Sequence, residues 1–413
     1  MGRAWRCTAV AATTLARTRS AATRASAAAA RPLQDVTGGI LATAVVLLGI
    51  GLVMVASTAP ASNPAQARYL VLKHTLWLAA SLVALLLAYS VDYHRLRPFT
   101  VPLLLASLAS LVAVLFVGAT VNGAKRWFRV GELSLQPSEF CKLALCLYMA
   151  DFLAREQERI KTFFKGFVQP MLIMGVAFVL ILKEPDFGTA LLIAMVTFGM
   201  LYVAGIRMIH VVPGVIASAP LLVYIAMRMP HVWQRIVTFL NPWAEPQGAG
   251  YQIVQSLIAL GSGGLTGLGL GNSRQKLLYL PEASSDFVFA IIGEELGLVG
   301  AATVVALFAL LFWCGLKVAR RAPDLYGSLL AFGITFTIGL QAVVNIAVVT
   351  CSAPTKGIAL PMVSAGGSAL VATMAALGLL MNVASHIEAE TPPAELGAVK
   401  LTRRKAARAT RDA

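Results

Sequence analysis

Charged side chains are scarce in this chain, and acidic ones are the scarcest. Its 413 residues include 19 Asp and Glu and 34 Lys and Arg, so that 13% are charged while 58% are hydrophobic. Soluble globular domains carry about 25% charged residues, and this composition therefore excludes a soluble domain. It predicts an integral membrane protein that crosses the bilayer several times.

Cysteine and histidine are equally sparse, with five of each. The spacing of the cysteines matches neither a metal site nor a disulfide framework, and the scattered histidines favour structural roles over metal ligation. The glycine-rich run GSGGLTGLGLGNS (261–273) lacks the Gly-Lys-Ser/Thr ending of a phosphate loop, and no strand precedes it. We interpret that run as a connector that is flexible or dips into the membrane.

The net charge of +15 does not indicate nucleic-acid binding, because +7 of it lies in two tails. Residues 1–36 and 386–413 are predicted to be disordered cytoplasmic tails. The first 31 residues contain no acid and consist largely of Ala, Arg, Ser and Thr. That composition is typical of a transit peptide, and also of a disordered extension or of a start codon placed too early.

Ten apolar windows are long enough to span a bilayer. We predict an all-α integral membrane protein of ten transmembrane helices, with a large extracytoplasmic loop, 227–285, between spans 7 and 8. With both termini inside, the inner segments carry 22 Lys and Arg and the outer ones 11, as the positive-inside rule requires. The windows are 37–57, 74–91, 99–117, 138–154, 167–183, 187–204, 208–226, 286–316, 326–350 and 360–385.

This orientation places segments 118–137, 184–186, 227–285 and 351–359 on the outer face. Long loops are where function concentrates in such proteins. The longest of them contains HVWQRIVTFLNPW and YQIVQSLIALGSGG, two amphipathic stretches with aromatic anchors. We predict interfacial helices there.

Asp286 stands where a polar loop enters the eighth window, in LPEASSDFVFAIIGEELGLVG (280–300). Glu294 and Glu295 follow on the same helix, roughly 12 Å deeper at 1.5 Å per residue. A carboxylate inside a membrane helix costs about 2.5–3.5 kcal/mol, so these residues are functional candidates. The alternative for Asp286 is a cap on the helix N-terminus, where a negative charge suits the dipole.

The second informative stretch is VNGAKRWFRVGELSLQPSEFCKLAL (121–145). Lys125, Arg126 and Arg129 surround a tryptophan that we read as an interface anchor. Glu139 and Lys142 are three residues apart on one helix face and enter the bilayer together. They form either a pair that neutralises itself or part of a cationic cradle for an anionic headgroup.

Two further segments complete the picture. In KEPDFGTALL (183–192), Glu184 and Asp186 lie in a short hairpin, for which a tight turn is favoured over a catalytic role. In CSAPTKGIALPMVSAGGSAL (351–370), prolines and paired glycines interrupt the last window, and Lys356 adds a cation. Broken helices at membrane depth line cavities or pack inside the protein. Together these segments predict an outward-facing pocket for an anionic amphiphile.

Four of these segments resemble the signature blocks of the SEDS family (shape, elongation, division, sporulation): KRWFRVGELSLQPSEFCKL, EPDFGTALL, LPEASSDFVFAIIGEELG and APTKGIALPMVSAGGS. The resemblance covers 37–385, which would form the ten-helix membrane domain. The run Pro-Thr-Lys-Gly at 354–357 is similar to the division branch of the family. The family usually has Ser-Tyr-Gly-Gly-Ser where this chain has Ala365.

The resemblance implies a peptidoglycan glycosyltransferase that polymerises lipid II into β-1,4-linked glycan strands. Asp286 matches the essential Asp of the family motif and would be the catalytic base. A bound Mg²⁺ or Mn²⁺ would assist departure of pyrophosphate. The pyrophosphate or headgroup would be bound by Arg126, Lys142, Lys125, Lys276 and Lys356, with support from Glu139, Gln136, Ser138, Glu282 and Ser364.

The same resemblance implies a bacterial inner-membrane protein at the division septum. Its partners would be a class B penicillin-binding protein, other divisome membrane proteins and the lipid bilayer, with no nucleic acid. Three alternatives stay open: a lipid II flippase, a glycosyltransferase of elongation, and a structural anchor for division partners.

Overall fold

The computed structural model describes residues 36–59, 67–121, 123–131, 133–277 and 279–390. Of the predicted tails, 1–36 and 386–413, only residues 36 and 386–390 fall within these ranges, where the first helix begins and the last one ends. The helices are α1 Val36–Ala59, α2 Ala67–Ser90, α3 Thr100–Val117, α4 Pro137–Arg155, α5 Gln169–Lys183, α6 Phe187–Val203, α7 Met208–Arg228, α8 Pro230–Leu240, α9 Tyr251–Gly263, α10 Val288–Arg321, α11 Leu325–Val349 and α12 Gly367–Glu390.

A helix lies in each of the ten predicted windows. Within the described ranges, seven helical stretches are long and apolar enough to cross a membrane. They comprise α1, α2, α3 with the turn before it, α5 with the turn before it, α10, α11 and α12. Helix α6 is apolar but shorter, and α4 carries four charged side chains. The chain is therefore a mostly helical, multi-pass membrane protein.

A small sheet interrupts the helical pattern, and the all-α prediction missed it. Strands β1 (Ala119–Val121), β2 (Ala124–Val130) and β3 (Leu133–Leu135) form an antiparallel sheet in the order β1-β2-β3. Gly123 and Gly131 have positive φ angles of 78° and 59° at the two turns, a conformation that glycine adopts without steric strain. β1 and β3 have three residues each, and the seven residues of β2, AKRWFRV, do not alternate between apolar and polar, so no strand pattern stands out.

Close packing of small residues joins the last helix to the second. Helix α12 packs along α2, α10 along α11, and α4 against α3 and α11. A Cβ atom on Gly378 of α12 would lie 2.3 Å from the carbonyl oxygen of Leu85 in α2. The two backbones therefore approach as closely as small-residue contacts allow in membrane helices.

Helix α10 is broken at Gly297, which has a φ angle of 67°. The amides of Leu268 and Gly269 donate to the carbonyls of Glu294 and Glu295, at 2.9 and 3.0 Å. The glycine-rich run thus satisfies backbone groups that the break leaves open, as any backbone at membrane depth requires. Rather than a free connector, this run is hydrogen-bonded into the helix.

The two predicted amphipathic stretches of the long loop are helical, as α8 and α9. Trp233 and Leu240 of α8 are exposed. Helix α9 instead packs against α10, and its buried Ser256 hydroxyl donates to the carbonyl of Val349 at 2.7 Å. Only α8 therefore keeps the character of a surface helix.

The bundle has two ends, separated by the length of α11, 25 residues or about 37 Å. The Asp286 end comprises 119–121, 123–131, 133–135, 184–187, 230–240, 282–287 and 351–366. The Asp92 end comprises 92–100, 151–155, 324–327 and 382–386. Segments predicted for the outer face thus meet at one end, as hydrogen bonds from Arg126 to the 184–185 turn show.

Candidate active site

Asp286 lies two residues before α10 and does not cap it. Phe287 is the N-cap residue and makes no side-chain cap bond. Within the described ranges the Asp286 carboxylate forms no hydrogen bond or ion pair, although the side chain is partly buried. The capping interpretation is therefore not what the structure shows, and the carboxylate is available to a ligand.

Side-chain hydrogen bonds hold the backbone of the loop at Ser285 and Asp286. Asn345 donates from Nδ2 to the carbonyls of Asp286 and Ile358, at 2.8 and 2.7 Å. Ser364 donates from Oγ to the carbonyl of Ser285 at 2.5 Å. The broken segment before α12 thus positions the loop that carries Asp286, which gives Ser364 its supporting role.

Sequence reasoning missed Asn345 and Gln341. They are four apart on α11, so they share one face. Gln341 accepts from the Lys142 ammonium at 2.9 Å and donates to the carbonyl of Ala359 at 3.0 Å. Two amides spaced by four in an otherwise apolar helix were the signal that would have found them.

Charges of both signs act on the Asp286 carboxyl. Burial is the largest effect and raises its pKa, and the negative charges of Glu282 and Asp186 act in the same direction. Arg235 and Arg126 oppose them, and the net result is a pKa of about 7 instead of 3.8. A carboxyl whose pKa lies near neutrality can both accept and release a proton under physiological conditions.

Gly357 allows the last loop to approach this carboxylate. A Cβ atom on Gly357 would lie 2.7 Å from Oδ2 of Asp286. Any side chain at 357 would therefore displace the carboxylate.

Arg126 on β2 fastens the 184–186 turn to the site. Its Nε donates to the Glu184 carbonyl at 2.7 Å and its Nη2 to the Pro185 carbonyl at 2.5 Å. Asp186 caps α6 by accepting from the amide of Thr189 at 3.0 Å. The turn interpretation of this hairpin is confirmed, and the turn also delivers the Asp186 charge to Asp286.

Among the described residues of this end, Glu184 is the other acid whose carboxyl group has no hydrogen bond or ion pair. Its side chain is 0% exposed, and neither carboxylate oxygen has a hydrogen bond in the part of the chain that the structure describes. Burial, followed by the charge of Asp186, raises its pKa to about 8, against the effect of Arg126. Glu184 is therefore protonated at neutral pH.

Lys356 belongs to the same end. Its ammonium lies 4.4 Å from the centre of the Phe187 ring, a cation–π distance. Burial lowers its pKa to about 8, and Asp186 opposes that effect. The Lys356 ammonium therefore loses its proton more readily than an exposed lysine does, and it lies close to the 184–186 turn.

The other predicted cations occupy different surroundings. Lys142 is buried between Glu139, at 2.8 Å, and Gln341. Lys276 is buried against Glu295 at 2.7 Å and Ser57 at 2.8 Å. These two pairs neutralise charge inside the bundle. Lys125 is exposed on β2.

The other predicted supporting residues, and Glu294 inside the bundle, lie away from the Asp286 carboxylate or contact other groups. Glu282 is exposed and accepts from the hydroxyl of Ser285 at 2.8 Å. The backbone N–H of Gln136 donates to Ser368 Oγ at 3.3 Å. The buried hydroxyl of Ser138 has no partner among the described residues. Glu294 accepts from the Ser273 hydroxyl and the Arg274 amide. It therefore holds the loop instead of facing Asp286.

Comparison with known proteins now places the chain. The FtsW/RodA/SpoVE family model, described as a cell cycle protein, matches residues 39–389. A probable peptidoglycan glycosyltransferase FtsW of Geobacter metallireducens is 40% identical over 354 residues, which cover 84% of this chain and 94% of that one. Stage V sporulation protein E of Bacillus subtilis is 42% identical over 345 residues, covering 82% and 94%.

Two solved structures agree with this placement. A chain from a peptidoglycan synthase complex, studied for its coordination of polymerization and crosslinking, has a TM-score of 0.72 and 31% identity, covering 84% of this chain and 97% of that one. The rod shape determining protein RodA of Thermus thermophilus has a TM-score of 0.62 and 28% identity, covering 84% and 96%. The chain belongs to the FtsW/RodA/SpoVE family.

Proposed function

We propose that this protein is a peptidoglycan glycosyltransferase that polymerises lipid II, with Asp286 as the base. The observation that carries the proposal is the Asp286 carboxylate itself, which is partly buried, has a pKa of about 7 and has no partner among the described residues. A general base works best when its pKa lies near the operating pH. Its named relatives include probable peptidoglycan glycosyltransferases.

In the proposed step, the 4-hydroxyl of the acceptor GlcNAc attacks C1 of the donor MurNAc. Asp286 takes the hydroxyl proton as the new C–O bond forms, and the bond from C1 to the lipid pyrophosphate breaks with its electron pair. The configuration at C1 inverts from α to β. The departing charge needs cations, and Arg126, Arg235 and Lys356 are those that the fold gathers near Asp286 and Asp186.

Arg126 and Lys356 are the predicted substrate-binding residues that the fold supports best. Arg126 donates from Nε and Nη2 to the carbonyls of the turn. Its Nη1 can donate to a phosphate oxygen of the substrate. Lys142, Lys276 and Lys125 remain weaker candidates, since the first two are already paired inside the bundle.

A divalent cation, Mg²⁺ or Mn²⁺, remains part of the proposal. Such ions bind through one or two carboxylates together with substrate phosphates. Asp286 fits that pattern, because its carboxylate has no partner in the described part of the chain, and the charge of Asp186 acts on it. When bound, the ion would neutralise pyrophosphate charge.

We further propose ten spans with both termini in the cytoplasm, which places the Asp286 end on the outer face of the inner membrane. The protein would act at the division septum with a class B penicillin-binding protein and other divisome proteins. The solved complex that couples polymerization to crosslinking supports such a partnership. Side-by-side complementation of division-defective and elongation-defective strains tests the division role, since an elongation enzyme would rescue only the latter.

The reaction is tested with purified protein, its transpeptidase partner and fluorescent lipid II. Long glycan strands that muramidase digests are the expected product. A lipid II flippase, in contrast, would move the label across a vesicle bilayer and leave it unpolymerised, and that result would overturn the proposal.

A further inference from the structure

Two of the scattered histidines meet at the Asp92 end of the bundle, in an arrangement that the sequence did not predict. Asp92 and His94 lie in the connection between α2 and α3, and His386 lies near the end of α12. One ligand atom from each of the three side chains lies within 4.8 Å of the other two. All three side chains are partly exposed, so an ion in solution can reach them.

The distances suit a small metal ion. Oδ1 of Asp92 lies 2.9 Å from Nδ1 of His94 and 3.5 Å from Nε2 of His386. In a tetrahedral site with metal–ligand bonds of about 2.0–2.1 Å, neighbouring ligand atoms are about 3.3 Å apart. The two distances fall on either side of that value, and the third, between the two histidine nitrogens, is within 4.8 Å. Side-chain movement that brings the two rings to one ion would complete the geometry.

The second nitrogen of each ring faces an oxygen atom. Nδ1 of His386 lies 2.9 Å from the carbonyl oxygen of Asn382, one turn earlier on α12. A proton on Nδ1 leaves Nε2 free to face Asp92. This is the outer-shell pattern of metal-binding histidines, whose other N–H is held by a carbonyl or a carboxylate.

In His94 the second nitrogen faces a carboxylate, at a distance longer than a hydrogen bond. Its Nε2 lies 3.7 Å from Oδ1 of Asp324. Asp324 is itself anchored, because it accepts from the hydroxyl of Tyr93 and from the amide of Gly327 at 3.2 Å. The ring therefore presents Nδ1 to Asp92 with a fixed carboxylate behind it.

We propose that Asp92, His94 and His386 bind a divalent transition metal of the zinc class. Two imidazoles and one carboxylate select such metals over Mg²⁺ or Ca²⁺, which prefer oxygen ligands throughout. A water molecule would complete the coordination. The bound ion ties the end of α12 to the α2–α3 connection, far from Asp286, and is separate from the glycosyl-transfer site.

The test uses the full chain purified with a histidine-free tag, treated with chelator and titrated with Co²⁺ in micelles. We expect the visible absorption of four-coordinate Co²⁺, and its loss when Zn²⁺ is added. His386→Asn and His94→Gln are each expected to weaken Co²⁺ binding by at least about tenfold. Asp324→Asn, which preserves the helix cap, is expected to weaken it by about 10–100-fold.

His210→Asn is the matched control, because His210 lies on α7 beside Phe163 and away from the cluster. Its Co²⁺ affinity should equal that of the unaltered chain. Zn²⁺ should raise the unfolding temperature of the unaltered chain and of His210→Asn, but not of His94→Gln. Absence of a Zn²⁺-displaceable band, or equal affinity in His386→Asn and His210→Asn, would overturn the proposal and leave a cluster that binds protons alone.

Discussion

The two ends of the bundle differ in whether their buried or partly buried carboxyl groups are paired with arginine. At the Asp92 end, Asp151 is buried and bound by Arg97 at 2.9 Å and by Arg155 at 2.7 Å. At the Asp286 end, the carboxyl groups of Asp286 and Glu184 have no hydrogen bond or ion pair within the described ranges. The first arrangement neutralises a buried charge, whereas the second leaves two carboxyl groups whose pKa values are raised, chiefly by burial.

The difference does not arise from a lack of cations near Asp286. Arg126 lies close but donates to backbone carbonyls, and Lys356 lies over an aromatic ring. In the interior, Lys142 and Lys276 are each paired with a glutamate. The interior lysines thus neutralise interior glutamates, and the cations near Asp286 contact groups other than its carboxylate.

The sharpest test of this contrast is Asp286→Asn, which removes the acid but keeps its shape. We expect the single-turnover rate of lipid II polymerisation to fall by about 10²–10⁴-fold, the usual contribution of a general base. A variant that is folded and retains the unaltered rate would refute the assignment of the base.

Thermal unfolding of the same variant provides its folding control. Because the folded pKa of Asp286 is about 7, above the value of 3.8 for an unperturbed Asp, the folded state binds more protons between these pH values. Asp286 therefore lowers stability as pH rises through that window. Asp286→Asn should unfold at a higher temperature than the unaltered chain above pH 7, and the difference should shrink toward pH 4.

Arg126→Lys tests whether the cation near the acid must be an arginine. A lysine carries its three donors on a single nitrogen and lacks the planar fork with which Arg126 reaches both carbonyls from separate nitrogens. We expect kcat/KM to fall by about tenfold or more. Arg129→Lys, on the same strand but exposed, should stay within about twofold, and equal losses in the two variants would contradict the role of Arg126.

Lys276→Met tests the buried ion pair between Lys276 and Glu295. Breaking a buried ion pair leaves Glu295 uncompensated, and we expect a loss of about 3–5 kcal/mol in the free energy of unfolding. Adding Glu295→Met should recover much of that loss. If the stable double variant does not polymerise lipid II, Lys276 contacts substrate after all and the contrast between interior and site fails.

Glu282→Gln tests the pH dependence of the site. The proposed base must be ionised to accept a proton, so we expect kcat/KM to fall as pH drops below about 7. Removing the nearby negative charge of Glu282 should lower the Asp286 pKa and move this acidic limb to lower pH. Glu245→Gln, an exposed acid in the same loop, should leave the limb in place, and a shift shared by both variants would point to a general charge effect.

The smallest effect is expected for Arg155→Ala at the Asp92 end. Its side chain is 55% exposed, and Asp151 retains Arg97 and the hydroxyl of Thr100. Unfolding should change by less than about 1 kcal/mol. A loss as large as that of Lys276→Met would mean that this end depends on the pair.

Much of the architecture could be predicted from local sequence, because each bilayer-spanning segment must be apolar over its own length. Helices occupy the predicted windows, the family assignment is confirmed, and α8 and α9 lie where amphipathic patterns predicted them. The sheet was missed because β1 and β3 have only three residues each and the sequence of β2, AKRWFRV, lacks the alternation of a half-buried strand. The roles of the predicted substrate-binding cations stay predictions.

Hydrophobicity, charge bias and four short motifs determined on their own that this chain is a membrane protein of its family, and they singled out Asp286. Only the tertiary structure decided which charges are neutralised. It paired Lys142 with Glu139 and Lys276 with Glu295, and it used Asn345 to hold the loop that presents Asp286. The physical reason is that a residue's charge is visible in sequence, whereas its partner depends on contacts between segments that lie far apart along the chain.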